Sequence, residues 1–143
     1  MFVAGFIGTP QMNFMEGTLE KKGDGLYFVY EGNYLKMPEN KANAPELQEY
    51  IGKEVFGGLR PECIFDDAAN LDKYADASFE TDVDVTELMG AEIYLYLNVG
   101  ESGKLTARVS SRSTTRAGDK IKVAFDMSRL HIFDKDTERC VLH

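Results

Sequence analysis

The sequence predicts an all-β protein with minor helix, folded as an antiparallel barrel or sandwich. Apolar and polar residues alternate in four runs of the second half, and glycine-containing turns separate these runs. Alternation with a period of two is typical of strands that bury one face. Many short strands between turns are typical of barrels and sandwiches. No regular succession of strands and helices favours a parallel sheet.

The four alternating runs are residues 79–88, 93–99, 105–109 and 121–125, and residues 131–133 form a last short strand. Because neighbouring side chains of a strand point to opposite faces, the alternation also predicts which residues are buried. The residues expected in the core are Val83, Val85, Ile93, Leu95, Leu97, Val123 and Phe125. In the second run, Tyr94 and Tyr96 take the opposite phase and are expected to point outward.

The first half begins with a predicted hairpin. Residues 12–19 and 26–30 are rich in aromatic and β-branched residues and flank the turn Gly23-Asp24-Gly25. Residues 34–37 and 55–62 predict two further strands, the second ending at a proline.

One helix is predicted at residues 45–51. Asn43 is expected to cap its first amides, and Pro45 suits a first turn because its missing N–H is no loss there. Leu47, Tyr50 and Ile51 would share one face. Residues 64–77 are acidic and weakly patterned, which predicts a loop with a short helical turn.

Composition places the chain among ordinary globular proteins and argues against nucleic acid as a partner. It has 143 residues, of which 43% are hydrophobic, so we predict one domain over residues 1–143. The formal net charge of −8 repels phosphate backbones, and no run approaches the roughly 20 apolar residues that span a bilayer.

Cysteine, histidine and acidic residues do not form a recognisable metal motif. Cys63 and Cys140 belong to no CxxC pair, so a structural zinc site is not expected, and two free thiols are favoured over a disulfide. Glu80, Asp82 and Asp84 alternate along one strand and would either bind a hard cation or form a solvated face, which is far more common.

Three stretches together resemble a known family. Residues 2–14 (FVAGFIGTPQMNF) are similar to the segment that follows the nucleotide-binding domain in the ATP-binding subunits of maltose and multiple-sugar ABC importers of bacteria. Residues 58–62 (GLRPE) match that family's Gly-aliphatic-Arg-Pro-Glu motif. Residues 117–123 (AGDKIKV) and 130–134 (LHIFD) resemble the end of its transport-associated OB-type region. The likeness spans essentially the whole chain.

The resemblance implies an OB-like antiparallel β-barrel that acts as a C-terminal regulatory domain. It implies a homodimer with a second copy of the same subunit, docking on membrane permease subunits through the ATPase domain, and contact with a cytosolic regulatory protein. It also implies a cytoplasmic location at the inner face of the membrane. Residues 1–11 would be a former interdomain segment, with Phe2, Val3, Phe6 and Ile7 on one helical face.

No catalytic, cofactor or metal residue is predicted in this chain. The phosphate-binding G-x-x-x-x-G-K-[ST] loop is absent from the sequence, so ATP and Mg²⁺ are expected only in the ATPase domain that the family carries. We therefore do not expect the chain to be an enzyme by itself.

Three groups of residues are candidates for function, each beside a plainer interpretation. Tyr94 and Tyr96 are expected in a dimer interface, or they simply cover neighbouring side chains. The family motif either fixes a strand end, which is favoured, or supplies a functional Arg–Glu pair; it comprises Gly58, Arg60, Pro61 and Glu62. A hydroxyl-rich loop would hold an oxyanion or serve as an ordinary connection; its candidates are Ser111, Arg112, Thr114 and Arg116.

The alternative function is a free-standing OB-type module that binds an oxyanion or single-stranded nucleic acid. Binding of a single strand needs a basic groove with aromatic side chains on which bases stack. The aromatic residues are present, whereas the net charge argues against nucleic acid.

Overall fold

The computed structural model describes residues 11–142, and most of them lie in antiparallel strands. The strands are β1 (Asn13–Lys22), β2 (Gly25–Tyr30), β3 (Asn33–Lys36), β4 (Glu54–Leu59), β5 (Ile64–Phe65), β6 (Ser78–Met89), β7 (Glu92–Val99), β8 (Gly103–Ser110), β9 (Lys120–Phe125), β10 (His131–Asp134) and β11 (Cys140–Leu142). The helices are α1 (Glu39–Ala42), α2 (Pro45–Gln48) and α3 (Ala68–Lys73), with single 3₁₀ turns at Pro61–Cys63, Ala75–Ala77 and Met127–Arg129. The predicted all-β class with minor helix is confirmed.

The strands form two sheets. The first has the order β11-β10-β4-β1-β2-β3 and the second the order β5-β9-β6-β7-β8. Because β5 also lies against β8, the second sheet curves into a nearly closed five-stranded barrel, as the OB-like prediction requires. Both sheets contribute to one hydrophobic core, with Leu19 and Phe28 from the first and Leu95 and Val123 from the second all fully buried.

A buried asparagine joins the two sheets. Asn13 lies at the start of β1 and is only 5% exposed. Its amide nitrogen donates to the backbone oxygens of Leu59 (3.1 Å) and Thr106 (2.9 Å), and its Oδ1 accepts from the backbone N–H of Thr106 (2.8 Å). The side chain therefore offers β8 the donor and acceptor that a neighbouring strand would offer.

A β-bulge in β6 makes one predicted core residue wrong. Val83 pairs with Leu97, but Val85 pairs with Tyr96, so Asp84 is an extra residue on β6. The bulge reverses the in–out phase of the strand. Val83 is buried as predicted, whereas Val85 is 48% exposed. The other core predictions hold except for Ile93, which is half-buried at the edge of the core.

The helical region is shorter than predicted and is capped differently. Helix α2 ends at Gln48, and Ala44, not Asn43, precedes it without a side-chain cap. Asn43 instead ends α1, a helical turn that the sequence patterns did not indicate. Ile51 leaves the helix to form a bridge with Leu19 of β1, so contact with the sheet ends the helix before its apolar face is complete.

Other predictions here are confirmed or lie outside the described residues. The turn between β1 and β2 and the helical turn within residues 64–77 are present, and the strand predicted before Pro61 is β4, which ends at Leu59. Strand β11 had no clear sequence signal. Residues 1–10 of the predicted interdomain segment (residues 1–11), including Phe2, Val3, Phe6 and Ile7, fall outside the described residues. That segment and the single-domain boundaries stay predictions.

Replacing Asn13 with alanine should strongly destabilise the fold. The change removes three buried hydrogen bonds to backbone groups of Leu59 and Thr106, which costs about 2–4 kcal/mol of unfolding free energy. Urea unfolding monitored by circular dichroism measures this. Asn98→Ala is the matched control, because Asn98 is half-buried and its side-chain oxygen accepts a hydrogen bond from Nζ of Lys104 at the surface. Equal stability of the two variants would contradict the role given to Asn13.

The bulge predicts different costs for the same substitution two residues apart. Val83→Thr buries a hydroxyl in the core and should lower the free energy of unfolding by about 1–3 kcal/mol. Val85→Thr places the same group in solvent and should change it by less than about 0.5 kcal/mol. Both residues are β-branched, so strand propensity is unchanged. The reverse order of the two costs in thermal unfolding would mean that β6 has no bulge at Asp84.

Candidate functional site

The glycine and proline of the family motif shape the end of β4. Gly58 lies between Phe14 of β1 and His131 of β10 in the sheet. A Cβ atom there would lie 2.7 Å from Sδ of Met12 and 2.8 Å from the ring of Phe133, so only glycine fits without movement of its neighbours. Pro61 is buried and begins the 3₁₀ turn that follows the strand. These two residues have a structural role.

The charged residues of the motif point elsewhere. Arg60 and Glu62 are both exposed, and no hydrogen bond or ion pair joins them to each other among the described residues. The nearest cation to Glu62 is Arg108 of β8, whose Nη2 lies 3.9 Å from Oε1, beyond hydrogen-bond distance. Arg60 and Glu62 therefore do not form an ion pair with each other, and a joint functional role stays a prediction.

Arg60 and Glu62 border a cavity of about 530 Å³ beside the 3₁₀ turn. We call this cavity the motif pocket; the residues that define it are Arg60, Glu62, Cys63, Asp126, Arg129 and His131. Sequence reasoning did not find Asp126 and Arg129, because both belong to the short turn before β10, which carries no periodic pattern. The one sequence feature that could have indicated these two residues is their position just before the LHIFD motif.

The charged residues of the motif pocket act on the thiol of Cys63. Burial raises the pKa of Cys63, and the negative charges of Glu62 and Asp126 raise it further. The positive charges of Arg129 and Arg60 oppose this effect. Cys63 is 9% exposed, and both Cys63 and Cys140 are free thiols.

The hydroxyl-rich loop between β8 and β9 binds a carboxylate of the protein itself. The hydroxyls of Ser113 and Thr115 donate to Oδ2 of Asp66, at 2.5 Å and 2.9 Å. The candidate residues themselves are exposed along this loop; they are Ser111, Arg112, Thr114 and Arg116. A bound oxyanion would therefore have to approach the negative charge of Asp66, which disfavours binding there.

Tyr94 and Tyr96 lie on the outer face of β7, opposite the buried Leu95 and Leu97, and each is half-buried. The bulge in β6 brings Val85 beside Tyr96, and Met89 lies further along the same face. Val85 and Met89 are 48% and 49% exposed. We call Val85, Met89, Tyr94 and Tyr96 the hairpin patch; its apolar surface could not be found from the alternation alone.

The acidic residues of β6 are matched by lysines of β9. Glu80 pairs across the sheet with Lys122, and Oδ1 of Asp82 lies 3.6 Å from Nζ of Lys120. Within residues 11–142 no three histidine, cysteine or acidic side chains come together as a metal site. Over the same residues, no helix has the length and apolar character needed to cross a membrane.

Each half of the chain matches the sequence model of a known domain family. The sequence model of the MalK OB fold domain matches residues 8–64, and that of the TOBE domain matches residues 75–132. The first range contains β1 to β4, and the second contains β6 to β9. The matched ranges thus include the GLRPE motif and the hairpins β1–β2 and β6–β7.

Curated relatives match nearly the whole chain. The oligosaccharides import ATP-binding protein MsmX of Bacillus subtilis is 40% identical over 96% of this chain, and the multiple sugar-binding transport ATP-binding protein MsmK of Streptococcus mutans is 34% identical over 98%. The ABC transporter ATP-binding protein YcjV of Escherichia coli is 41% identical over 96%. The chain spans 36% of the length of each of these relatives.

A solved structure shows the same fold at low identity. The cytoplasmic molybdate-binding protein ModG superposes with a TM-score of 0.63 at 16% identity, covering 84% of this chain and 94% of that chain. At such identity the likeness concerns the fold alone. The two family matches and the relatives above lead to one assignment: this chain belongs to the family of OB-type transport-associated domains found in the ATP-binding subunits of sugar-importing ABC transporters.

Proposed function

We propose that this chain is the regulatory and dimerisation module of a sugar-importing transport ATPase. The observation that carries the proposal is the alignment of almost the whole chain with about a third of each relative, at up to 41% identity. The parent protein would couple ATP hydrolysis to import through permease subunits at the cytoplasmic face of the membrane. This chain would set how two such subunits are held together.

The hairpin patch supplies a surface that suits contact with a second copy. Its members combine apolar area with polar groups: the hydroxyl of Tyr96 donates to Oε1 of Glu87 (3.1 Å), and Tyr94 lies across from Arg108. Tyrosine and methionine are enriched in protein interfaces, and arginine commonly accompanies them. A two-fold axis through this face would place the patch against its own copy.

The oxyanion-binding alternative has less support. Its candidate loop is folded around Asp66, and the likeness to ModG does not extend beyond the fold. Binding of single-stranded nucleic acid is opposed by the net charge of −8.

Sedimentation of the purified chain tests the dimer. The wild type should associate as concentration rises, and Val85→Glu and Tyr96→Ser should each weaken association by about tenfold or more, because each removes apolar contact from the centre of the patch. Tyr34→Ser is the matched control: Tyr34 is 45% exposed on β3, the edge strand of the first sheet, whereas the hairpin patch lies on the second sheet. The control should associate like the wild type.

Two results would reject this assignment. A wild type that stays monomeric near millimolar concentration would show that the isolated chain does not self-associate. A dimer that tolerates both patch substitutions would place the interface on another face.

A chimaera tests the role in transport. MsmX with its matching third replaced by this chain should restore most oligosaccharide uptake to cells that lack MsmX, because the aligned segments share 40% identity. The same chimaera with Val85→Glu should lose most of that uptake if the patch holds two subunits together. Immunoblotting confirms equal expression. A well-expressed chimaera without uptake would contradict the proposed module.

A further inference from the structure

The motif pocket brings together four charged side chains that the proposed dimer does not use: Arg60, Glu62, Asp126 and Arg129. We propose that it binds a small hydroxylated phosphate monoester, with Arg60 and Arg129 on the phosphate and Glu62 and Asp126 on hydroxyl groups. The proposal goes beyond the proposed function, because it assigns a ligand site to this chain that is independent of the hairpin patch.

The cationic half of the pocket fits a phosphate group. Arg60 follows β4 and Arg129 lies in the turn before β10, so two separate segments bring guanidinium groups to one cavity. Both side chains are exposed, and neither forms a side-chain hydrogen bond or ion pair with any other residue in the range 11–142. A guanidinium group has donors spaced to bind two phosphate oxygens at once. Two such groups can therefore share a dianion.

The anionic half of the pocket argues against phosphate alone. One carboxylate oxygen of Asp126 accepts hydrogen bonds from the backbone N–H (3.1 Å) and the hydroxyl (2.6 Å) of Ser128. The other oxygen of Asp126 accepts no hydrogen bond from the described residues. The carboxylate of Glu62 accepts none from them either, and it forms only a long ion pair with Arg108, at 3.9 Å. Ionised carboxylates only accept hydrogen bonds, so they need a ligand that donates.

The charges thus select a ligand with two different ends. Two guanidinium groups and two carboxylates give the lining a formal charge of zero when His131 is neutral. The arginines would attract a free phosphate ion, but the carboxylates would repel it, since like charges repel at short range. A sugar phosphate places its anion and its hydroxyls several bonds apart, so it can satisfy both halves.

The size and floor of the pocket suit the carbon skeleton of such a ligand. Its volume of about 530 Å³ lies within the usual range of roughly 300–1,000 Å³ for small-molecule sites. The buried Cys63 and the ring of Phe65 add apolar surface beside the charges. The opposing effects of the four charges on the thiol of Cys63 agree with their arrangement around one centre.

Calorimetric titration of the whole chain tests the site with three probes: glucose 6-phosphate, inorganic phosphate and glucose. Glucose 6-phosphate should bind saturably and at least about tenfold more tightly than either other probe. Arg60→Ala and Arg129→Ala should each weaken this binding by about tenfold or more. Arg116→Ala is the matched control, because Arg116 is also exposed but lies outside the pocket, and it should bind like the wild type.

Two more variants separate recognition from charge. Arg60→Lys keeps the charge but loses the paired donors, so it should still bind more weakly than the wild type. Glu62→Gln replaces a carboxylate by a neutral amide and so removes an acceptor and a negative charge. It should weaken the binding of glucose 6-phosphate, whereas the affinity for inorganic phosphate should stay the same or rise. Melting temperatures near that of the wild type would show that these exposed substitutions leave the fold intact.

Three outcomes would overturn the proposal. They are no saturable binding of glucose 6-phosphate at millimolar concentration, equal affinity for inorganic phosphate, and binding that Arg60→Ala and Arg129→Ala leave unchanged. None of them bears on sedimentation or on the MsmX chimaera, so failure here and failure of the proposed function can be told apart.

Discussion

The contact between Asn13 and Thr106 is the constraint on which the two-sheet architecture depends. Hydrogen bonds between strands hold each sheet together, but a backbone ladder cannot continue from β1 to β8, because the two strands belong to different sheets. The side-chain amide of Asn13 satisfies both backbone groups of Thr106 in a buried place. Without it, closing the core would leave these polar groups unpaired, which costs more than the apolar contact nearby returns.

Two further polar contacts support the same closure from other directions. The ammonium group of Lys41 is buried in α1 and donates to the backbone oxygen of Leu130 (2.7 Å), and burial lowers the pKa of this lysine. The turn after β2 reaches the turn before β8, where the carboxylate of Glu31 accepts from Ser102. Apolar burial supplies most of the driving force, whereas these directional contacts fix how the sheets meet.

Sequence patterns predicted what depends on neighbours along the chain and missed what depends on distant partners. The hairpins and the buried Leu95, Leu97 and Val123 follow from alternation within a single strand. The bulge at Asp84 could not be predicted, because it is defined by pairing with β7. The shortened helix α2 has a similar cause: Ile51 forms a β-bridge with Leu19 of β1, where the N–H of Gly52 donates to the Leu19 oxygen (2.6 Å), and this tertiary contact overrides the helical spacing of Ile51. Asp126 and Arg129 likewise become candidate site residues only because the fold places them at the same cavity as Arg60.

The GLRPE motif therefore combines two roles, one structural and one as part of a candidate site, that the sequence alone does not distinguish. Gly58 permits β4 to pass between Met12 and Phe133, and Pro61 begins the turn that follows. These structural residues fix the backbone from which Arg60 and Glu62 extend, so the two charged side chains have defined positions although neither contributes a contact to the core. Exposed charges usually gain little from such placement, since solvent screens them. Their placement at a cavity that Asp126 and Arg129 also line is what turns a strand end into a candidate binding site.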